Sequence, residues 1–139
     1  MAPTEIHLEL PDNIKAMLDG ANFAHLATIM EDGSPQATMM WVDREGDHVR
    51  FNTVEGRVKP TNLRNDPRVA ISIYDESKPY LNAAMRGKVI EFRHEGAEDH
   101  IHALSNKYKG KDFSIPAGSV RVMLVVEIES IGGYAAEES

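Results

Sequence analysis

The segment FAHLATIMEDGSPQATMMWVDREGDHVRFNTV, residues 23–54, decides the fold. Its opening FAHLATIM favours a strand, and the Asp-Gly pair that follows is the signal of a tight hairpin turn. SPQATMMWVDR, residues 34–44, predicts the returning strand, and HVRFNTV, residues 48–54, predicts a third strand in which apolar and polar residues alternate. The segment therefore predicts three sequential antiparallel strands joined as a meander.

Three further strands are predicted downstream. VAISIYD, residues 69–75, is rich in β-branched residues, and residues 80–93 predict a longer strand in which Gly87 indicates a bulge or a bend. Residues 119–131 predict the last strand. These strands follow one another too closely for repeated strand-helix-strand crossovers, so we expect an antiparallel barrel.

Helices are expected at the periphery of this barrel. Residues 11–20 predict a short leading helix, because proline and aspartate open the segment and glycine closes it. Residues 56–68 are too polar for a strand and predict one or two helical turns that end before Pro67. Residues 95–110 predict an amphipathic helix with acidic residues at its start and lysines at its end.

The length of the chain predicts a single domain, residues 1–139. We expect the barrel to occupy about residues 22–131, and residues 132–139 to form an acidic tail. The predicted fold class is mainly β: a six-stranded antiparallel β-barrel with peripheral helices.

Charge and composition argue against several classes of function. The formal net charge is −7, which argues against a protein that coats nucleic acid or an anionic membrane. No apolar run approaches the roughly 18 residues of a membrane span, and the first residues lack the pattern of a secretion signal. The absence of cysteine excludes disulfides, thiolate metal sites and cysteine nucleophiles. We expect a cytoplasmic protein with small-molecule or protein partners.

A basic cluster follows the third strand, against the overall sign of the chain. It contains Arg57, Lys59, Arg64 and Arg68 beside a single carboxylate, Asp66. A turn that enters a helix, with exposed amides and several cations, is suited to a phosphate group. The alternative is a solvated loop between strands, and charge alone does not decide between the two.

The returning strand of the hairpin presents a second candidate surface. Alternation places Gln36, Thr38 and Met40 on one face of this strand. A face that mixes polar groups with a polarizable thioether could receive a flat heterocycle. The alternative is that Met39, Met40 and Trp41 fill the barrel and a dimer contact.

No catalytic triad, metal site or glycine-rich nucleotide motif is predicted. His100 and His102 point to different faces of the predicted helix, and His-Glu-x-x-His spacing is absent. Gly-x-Ser-x-Gly and the phosphate loop of nucleotide triphosphatases are absent as well. The sequence therefore assigns no catalytic residue.

Taken together, residues 26–73 resemble the opening half of the pyridoxamine 5′-phosphate oxidase-like split-barrel family. FNTVEGRVKPTNLRNDPRVA, residues 51–70, is similar to that family's strand, phosphate-binding turn and following Asn-Leu-x-x-(Asn/Asp)-Pro-x-Val motif. RGKVIEF, the acidic helix ending NKYKGKDF, and SVRVMLVVEI resemble the second half of the branch that uses the deazaflavin coenzyme F420. The resemblance extends over roughly residues 10–132.

This resemblance implies a homodimer of FMN-binding-like split barrels with two cofactor sites in grooves between the subunits. Residues that would hold the cofactor phosphate, or lie beside it through their backbone, are Arg57, Lys59, Asn62, Asn52, Thr53 and Gly56. The strand that would lie along the deazaflavin ring comprises Pro35, Gln36, Ala37, Thr38, Met39 and Met40. Residues of the partner subunit that would close the site are near Tyr80, Met85 and Arg86.

The implied activity is reduction of an unsaturated or electron-poor organic acceptor by hydride transfer from reduced F420. The family's vitamin-B6 oxidase signature near the carboxyl terminus has no counterpart in VVEIESIGGYAAEES, so oxidation of pyridoxamine phosphate is not expected. Two alternatives stay open: an FMN-binding protein, and an F420 carrier without turnover. F420 differs from FMN in its lactyl-oligoglutamate tail, for which Arg64, Arg68 and Lys78 are candidates.

Overall fold

The computed structural model describes residues 8–133, in which seven strands and three helices follow one another. The strands are β1 (Ala24–Ile29), β2 (Pro35–Met40), β3 (Asp43–Glu45), β4 (His48–Val54), β5 (Arg68–Asp75), β6 (Lys78–Arg93) and β7 (Arg121–Gly132). The helices are α1 (Asp12–Asp19), α2 (Val58–Asn65) and α3 (Ala97–Lys109). Of the acidic tail expected over residues 132–139, Gly132 is the last residue of β7. Residues 134–139 lie outside the described residues.

All seven strands form one antiparallel sheet in the order β2-β1-β5-β6-β7-β4-β3. The sheet has the form of a split barrel, which confirms the predicted fold class. Leu26, Phe51 and Leu124 are among the fully buried side chains of its core. Helix α3 packs on the outer side of β7, where Ala97, Met123 and Val125 make a second, smaller core. Within the described residues, no helix is long and apolar enough to cross a membrane.

The strand predicted over residues 34–44 is interrupted, so the barrel has seven strands instead of six. Val42 is fully buried, and its carbonyl oxygen accepts a hydrogen bond from Nζ of Lys107 on α3 at 2.6 Å. Its N–H donates to the hydroxyl of Tyr108, also on α3, at 3.2 Å. The backbone groups of Val42 are therefore engaged by helix side chains, and the chain leaves the hairpin for the other end of the sheet.

The predicted meander is confirmed at both of its turns, but its middle strand does not continue from the first hairpin to the second. β1 and β2 pair as expected, from Ala24 opposite Met40 to Ile29 opposite Pro35. β4 pairs with β3 and β7, and not with β2. Adjacency in sequence favours pairing but does not require it, and here the barrel closes by carrying the chain from one sheet edge to the other.

The predicted bulge at Gly87 is confirmed by a shift in the register of β6 against β7 between Arg86 and Gly87. A Cβ atom at this position would lie 2.1 Å from the carbonyl oxygen of Glu127. Only glycine permits so close an approach of two backbones. The bulge bends β6, which pairs with β5 along its first half and with β7 along its second.

Candidate functional site

A groove of about 590 Å³ opens between β2, the turn from β4 to α2, and α3. Predicted site residues that line it are Gln36, Met39, Met40, Asn52, Thr53, Gly56, Arg57 and Lys59. The fold thus brings the basic cluster and the hairpin strand together in one groove, although they belong to different elements. Ile101 and Leu104 of α3 and Arg121 of β7 add walls that sequence reasoning did not include.

The turn from β4 to α2 forms the polar end of the groove. Gly56 has φ +88°, a left-handed conformation that favours glycine, and an added Cβ would meet nothing within 4 Å. Beside it, Glu55 accepts two hydrogen bonds from Arg64 of α2 at 2.6 and 2.7 Å and contacts Nε2 of His94 at 2.5 Å. The Arg64 guanidinium, helped by His94, lowers the pKa of Glu55 to about 2. These contacts fasten the turn to α2 and to the end of β6.

Three cations converge on this polar end. Arg57, Lys59 and Arg121 all line the groove, and within residues 8–133 no carboxylate lies within ion-pair distance of any of them. Burial, and then the charge of Arg57, lower the pKa of Lys59 from its ordinary value. The same two causes lower the pKa of Arg121. In a chain of net charge −7, this local excess of positive charge makes the polar end of the groove chemically suited to an anion.

Arg121 is the cation that sequence reasoning missed. It opens β7 opposite Val54, so strand pairing carries it to the phosphate turn from a distant part of the sequence. Its Nε donates to Oδ1 of Asn52 at 2.9 Å, and its guanidinium carbon lies 5.2 Å from the centroid of the Phe113 ring. The sequence offered one signal for this residue: a single arginine in a predicted strand whose residues 122–126 are all apolar, on both faces.

Aromatic residues form an apolar wall of the groove that reaches Arg121 at Phe113. Phe23, Trp41 and Phe113 line it, and Trp41 stacks on Tyr108 with ring centroids 5.4 Å apart and planes 6° apart. The Tyr108 hydroxyl donates to the carbonyl oxygen of Asn22 at 2.5 Å, and burial raises the pKa of Tyr108 to about 12. This neutral, hydrogen-bonded phenol fixes the stack, so the apolar wall is held in place by α3.

β2 presents its predicted mixed face to the inside. Gln36, Thr38 and Met40 are partly buried, whereas Ala37 and Met39 are exposed, which confirms the predicted alternation. Within residues 8–133, Oε1 of Gln36 and Oγ1 of Thr38 are buried polar side-chain atoms without a hydrogen-bond partner. Buried polar atoms are nearly always paired, and Gln36 lines the groove. Its Oε1 is therefore an acceptor suited to a ligand N–H.

Some predicted site residues lie elsewhere. Asn62 is buried on α2, and its Nδ2 donates to Oγ1 of Thr28 on β1 at 3.1 Å; it does not line the groove, but it borders a smaller depression of about 290 Å³ with Gly56 and Arg57. Met85 is fully buried in the barrel core and packs there. Two residues proposed for the F420 tail are engaged by carboxylates, Arg64 by Glu55 and Arg68 by Asp66.

The remaining predicted residues mark the outer face of the sheet. Tyr80 is 86% exposed, Pro35 is exposed at the start of β2, and Arg86 donates to Oγ of Ser130 at 3.3 Å. Small residues cover this face around a shallow depression of about 540 Å³. The small residues in neighbouring strands are Ala37, Ala27, Ala70, Ser72, Ala84 and Gly132.

Comparison with known proteins adds four findings. The family model of pyridoxamine 5′-phosphate oxidase matches residues 10–134. Among solved structures, an F420 reductase is 30% identical, with a TM-score of 0.80 over 88% of this chain and 98% of that one. A proposed pyridoxamine 5′-phosphate oxidase from Listeria innocua is 19% identical, with a TM-score of 0.70 over 89% of this chain and 97% of that one. No curated protein matches the sequence.

Proposed function

This chain belongs to the pyridoxamine 5′-phosphate oxidase family, and from that premise we propose that it is a reductase that uses coenzyme F420. Its fold is that of flavin- and deazaflavin-type oxidoreductases. The reduced deazaflavin, when bound, supplies a hydride to an unsaturated or electron-poor organic acceptor, and the protein binds, orients and shields the two. Accordingly, the proposal assigns no acid–base triad to the chain.

The observation that carries the proposal is the presence of a cationic turn and an aromatic wall in one groove. Arg57 and Lys59 would hold a phosphate at the β4–α2 turn, where neither has a carboxylate partner among the described residues. Phe23 and Trp41 lie on the apolar wall beyond β2. A ligand with a flat ring and a phosphate matches both, and a solvated loop does not account for this arrangement.

Gln36 adds a polar match for the ring. Its Oε1 is buried without a hydrogen-bond partner, and the residue lines the groove. A deazaflavin carries an N–H donor on its pyrimidinedione edge, and such a donor would satisfy this acceptor. FMN carries the same donor and a phosphate, so this contact supports a flavin-type ligand without selecting between the two. The selection of F420 is supported by the 30% identity to an F420 reductase.

We also propose that a second copy of the chain covers the outer face of the sheet. Cross-strand neighbours on this face, Ala37 opposite Ala27 and Ala27 opposite Ala70, form a row of small side chains that ends at Arg86, so another sheet could approach closely over β2, β1 and β5. Met39 is 58% exposed beside this face and also lines the groove, so the two surfaces are continuous along β2. A partner seated there would bring its own Arg86 and Tyr80 toward the cofactor.

Turnover of the reduced cofactor tests the proposed activity. Reduced F420 is mixed with the protein and a panel of quinones, nitroaromatics, unsaturated lactones and biliverdin-like tetrapyrroles, and its oxidation is followed by absorbance. We expect protein-dependent oxidation with at least one acceptor class. Tight F420 binding without oxidation by any acceptor would instead support a carrier, and turnover only with reduced FMN would place the protein with the flavin-dependent members.

A further inference from the structure

We infer that Arg121 is a third anion-binding residue of the groove, which contacts the ligand's phosphate with the guanidinium N–H groups that face away from Asn52. The inference rests on the proposed function for the identity of the ligand. It concerns a residue that lies outside the phosphate-turn motif and that the sequence alone did not bring forward.

Arg121 has unused hydrogen-bonding capacity at the groove. A guanidinium carries five N–H donors, and within residues 8–133 only Nε of Arg121 has a hydrogen-bond partner, Oδ1 of Asn52 at 2.9 Å. The group also lies over the Phe113 ring, a contact that leaves the edge donors of its plane free. Arg121 lines the groove together with Arg57, and it also borders a smaller depression of about 400 Å³ lined by Glu98 and Asp99, neither of which is within ion-pair distance of it.

The charge environment of Arg121 favours an incoming anion. The residue is only 8% exposed and has no carboxylate within ion-pair distance among the described residues. Its strongest charged neighbour, Arg57, is a second cation, and together with burial it lowers the pKa of Arg121. A buried charge without a counter-ion is unfavourable, so a phosphate would relieve both the desolvation and the repulsion.

Asn52 fixes the direction in which Arg121 points. Because Arg121 can only donate, Oδ1 of Asn52 must be the acceptor, and its amide orientation follows. Nδ2 of Asn52 then donates to the carbonyl oxygen of Ala97 at 2.8 Å and to Nδ1 of His100 at 3.0 Å. Both amide hydrogens are used, so Asn52 has no N–H left for a phosphate and acts on that group through Arg121.

His100 extends this support to the surface. With Nδ1 accepting from Asn52, its Nε2–H donates to Oδ1 of Asp43 at 3.0 Å. Arg50 in turn donates to both oxygens of Asp43 at 3.0 and 2.8 Å. Every member of this chain of hydrogen bonds has its partner, and such networks rigidify the groups they hold. Asn52 and His100 are therefore positioning residues for Arg121.

The test measures a coupling between Arg121 and the ligand's phosphate. Wild type, Arg121→Gln and Arg121→Lys are titrated with F420 and with its phosphate-free deazaflavin chromophore, by fluorescence. Arg44→Gln serves as a control with the same charge change, because Arg44 is bound to Asp19 at 2.8 Å and does not line the groove. We expect Arg121→Gln to weaken F420 binding about 10- to 100-fold and Arg121→Lys to weaken it less, since charge-assisted contacts to phosphate are strong.

Binding of the phosphate-free chromophore separates a direct contact from a structural effect. The inference predicts that its dissociation constant stays within about twofold of wild type in Arg121→Gln, and that Arg44→Gln leaves both ligands unaffected. Equal weakening of both ligands would show a structural role and overturn the inference. Undiminished F420 binding in Arg121→Gln would overturn it as well.

Failure of the proposed function has a different signature. If wild type binds neither F420 nor FMN, the cofactor assignment is wrong, and inorganic phosphate then decides the role of Arg121 by thermal shift. Stabilisation of wild type and Arg44→Gln, but not of Arg121→Gln, would support the anion subsite without the cofactor. An equal thermal shift of wild type, Arg44→Gln and Arg121→Gln with inorganic phosphate, or no shift in any of them, would overturn the inference about Arg121.

Discussion

Lys59 brings a charge to a half-buried position at the groove, where burial and Arg57 already lower its pKa. We predict that Lys59→Ala weakens F420 binding by about 1.5–3 kcal/mol, because a hydrogen bond to a charged phosphate is lost. Helix α2 tolerates alanine, so the fold should persist. Fluorescence titration of the purified variant measures the change.

Lys15→Ala is the matched control for Lys59, since it removes the same charge from α1, where Lys15 lies 3.7 Å from Asp47. Its F420 affinity should equal that of wild type. An undiminished affinity in Lys59→Ala would remove Lys59 from the phosphate subsite.

The β4–α2 turn depends on the contact of Glu55 with Arg64 and His94. The folded state holds the pKa of Glu55 at about 2, below the ordinary value of 4.5, so the ionised form is the one that stabilises the fold. This stabilisation is complete above the ordinary value and disappears as the pH falls toward 2. Because the ion pairs are partly solvated, we expect it to amount to about 1 kcal/mol.

Glu55→Gln should therefore lower the free energy of unfolding by about 1 kcal/mol at pH 7, and the difference from wild type should shrink below about pH 4. Urea denaturation of both proteins at several pH values measures it. A difference that stays constant as the pH falls would contradict the role of the ionised carboxylate.

At the level of elements, the sequence predicted every helix and the first hairpin, because each carries local signals such as the Asp-Gly turn and the proline after α2. The break at Val42 could not be predicted, since it depends on Lys107, 65 residues away. Arg121 was missed for the same reason, because its partner Asn52 is 69 residues away and they meet only through strand pairing. Local pattern thus predicts elements, while the site depends on long-range register.

For the whole molecule, the proposed dimer makes the outer face of the sheet the surface to test. Ala70 lies on this face, opposite Ala27 on β1 and Arg86 on β6. We predict that Ala70→Arg gives a folded monomer by light scattering and weakens F420 binding, because a long charged side chain holds the partner away. Ala103→Arg on the exposed side of α3 is the control and should remain dimeric. A dimeric Ala70→Arg protein would contradict the proposed interface.

We predict that the groove binds F420 in preference to FMN. The most direct test is a parallel titration of the purified protein with F420 and with FMN, by fluorescence or calorimetry at modest salt. We expect a dissociation constant for F420 on the order of micromolar or tighter, and weaker binding of FMN, because the chain is 30% identical to an F420 reductase. Tighter binding of FMN, or binding of neither ligand, would contradict it.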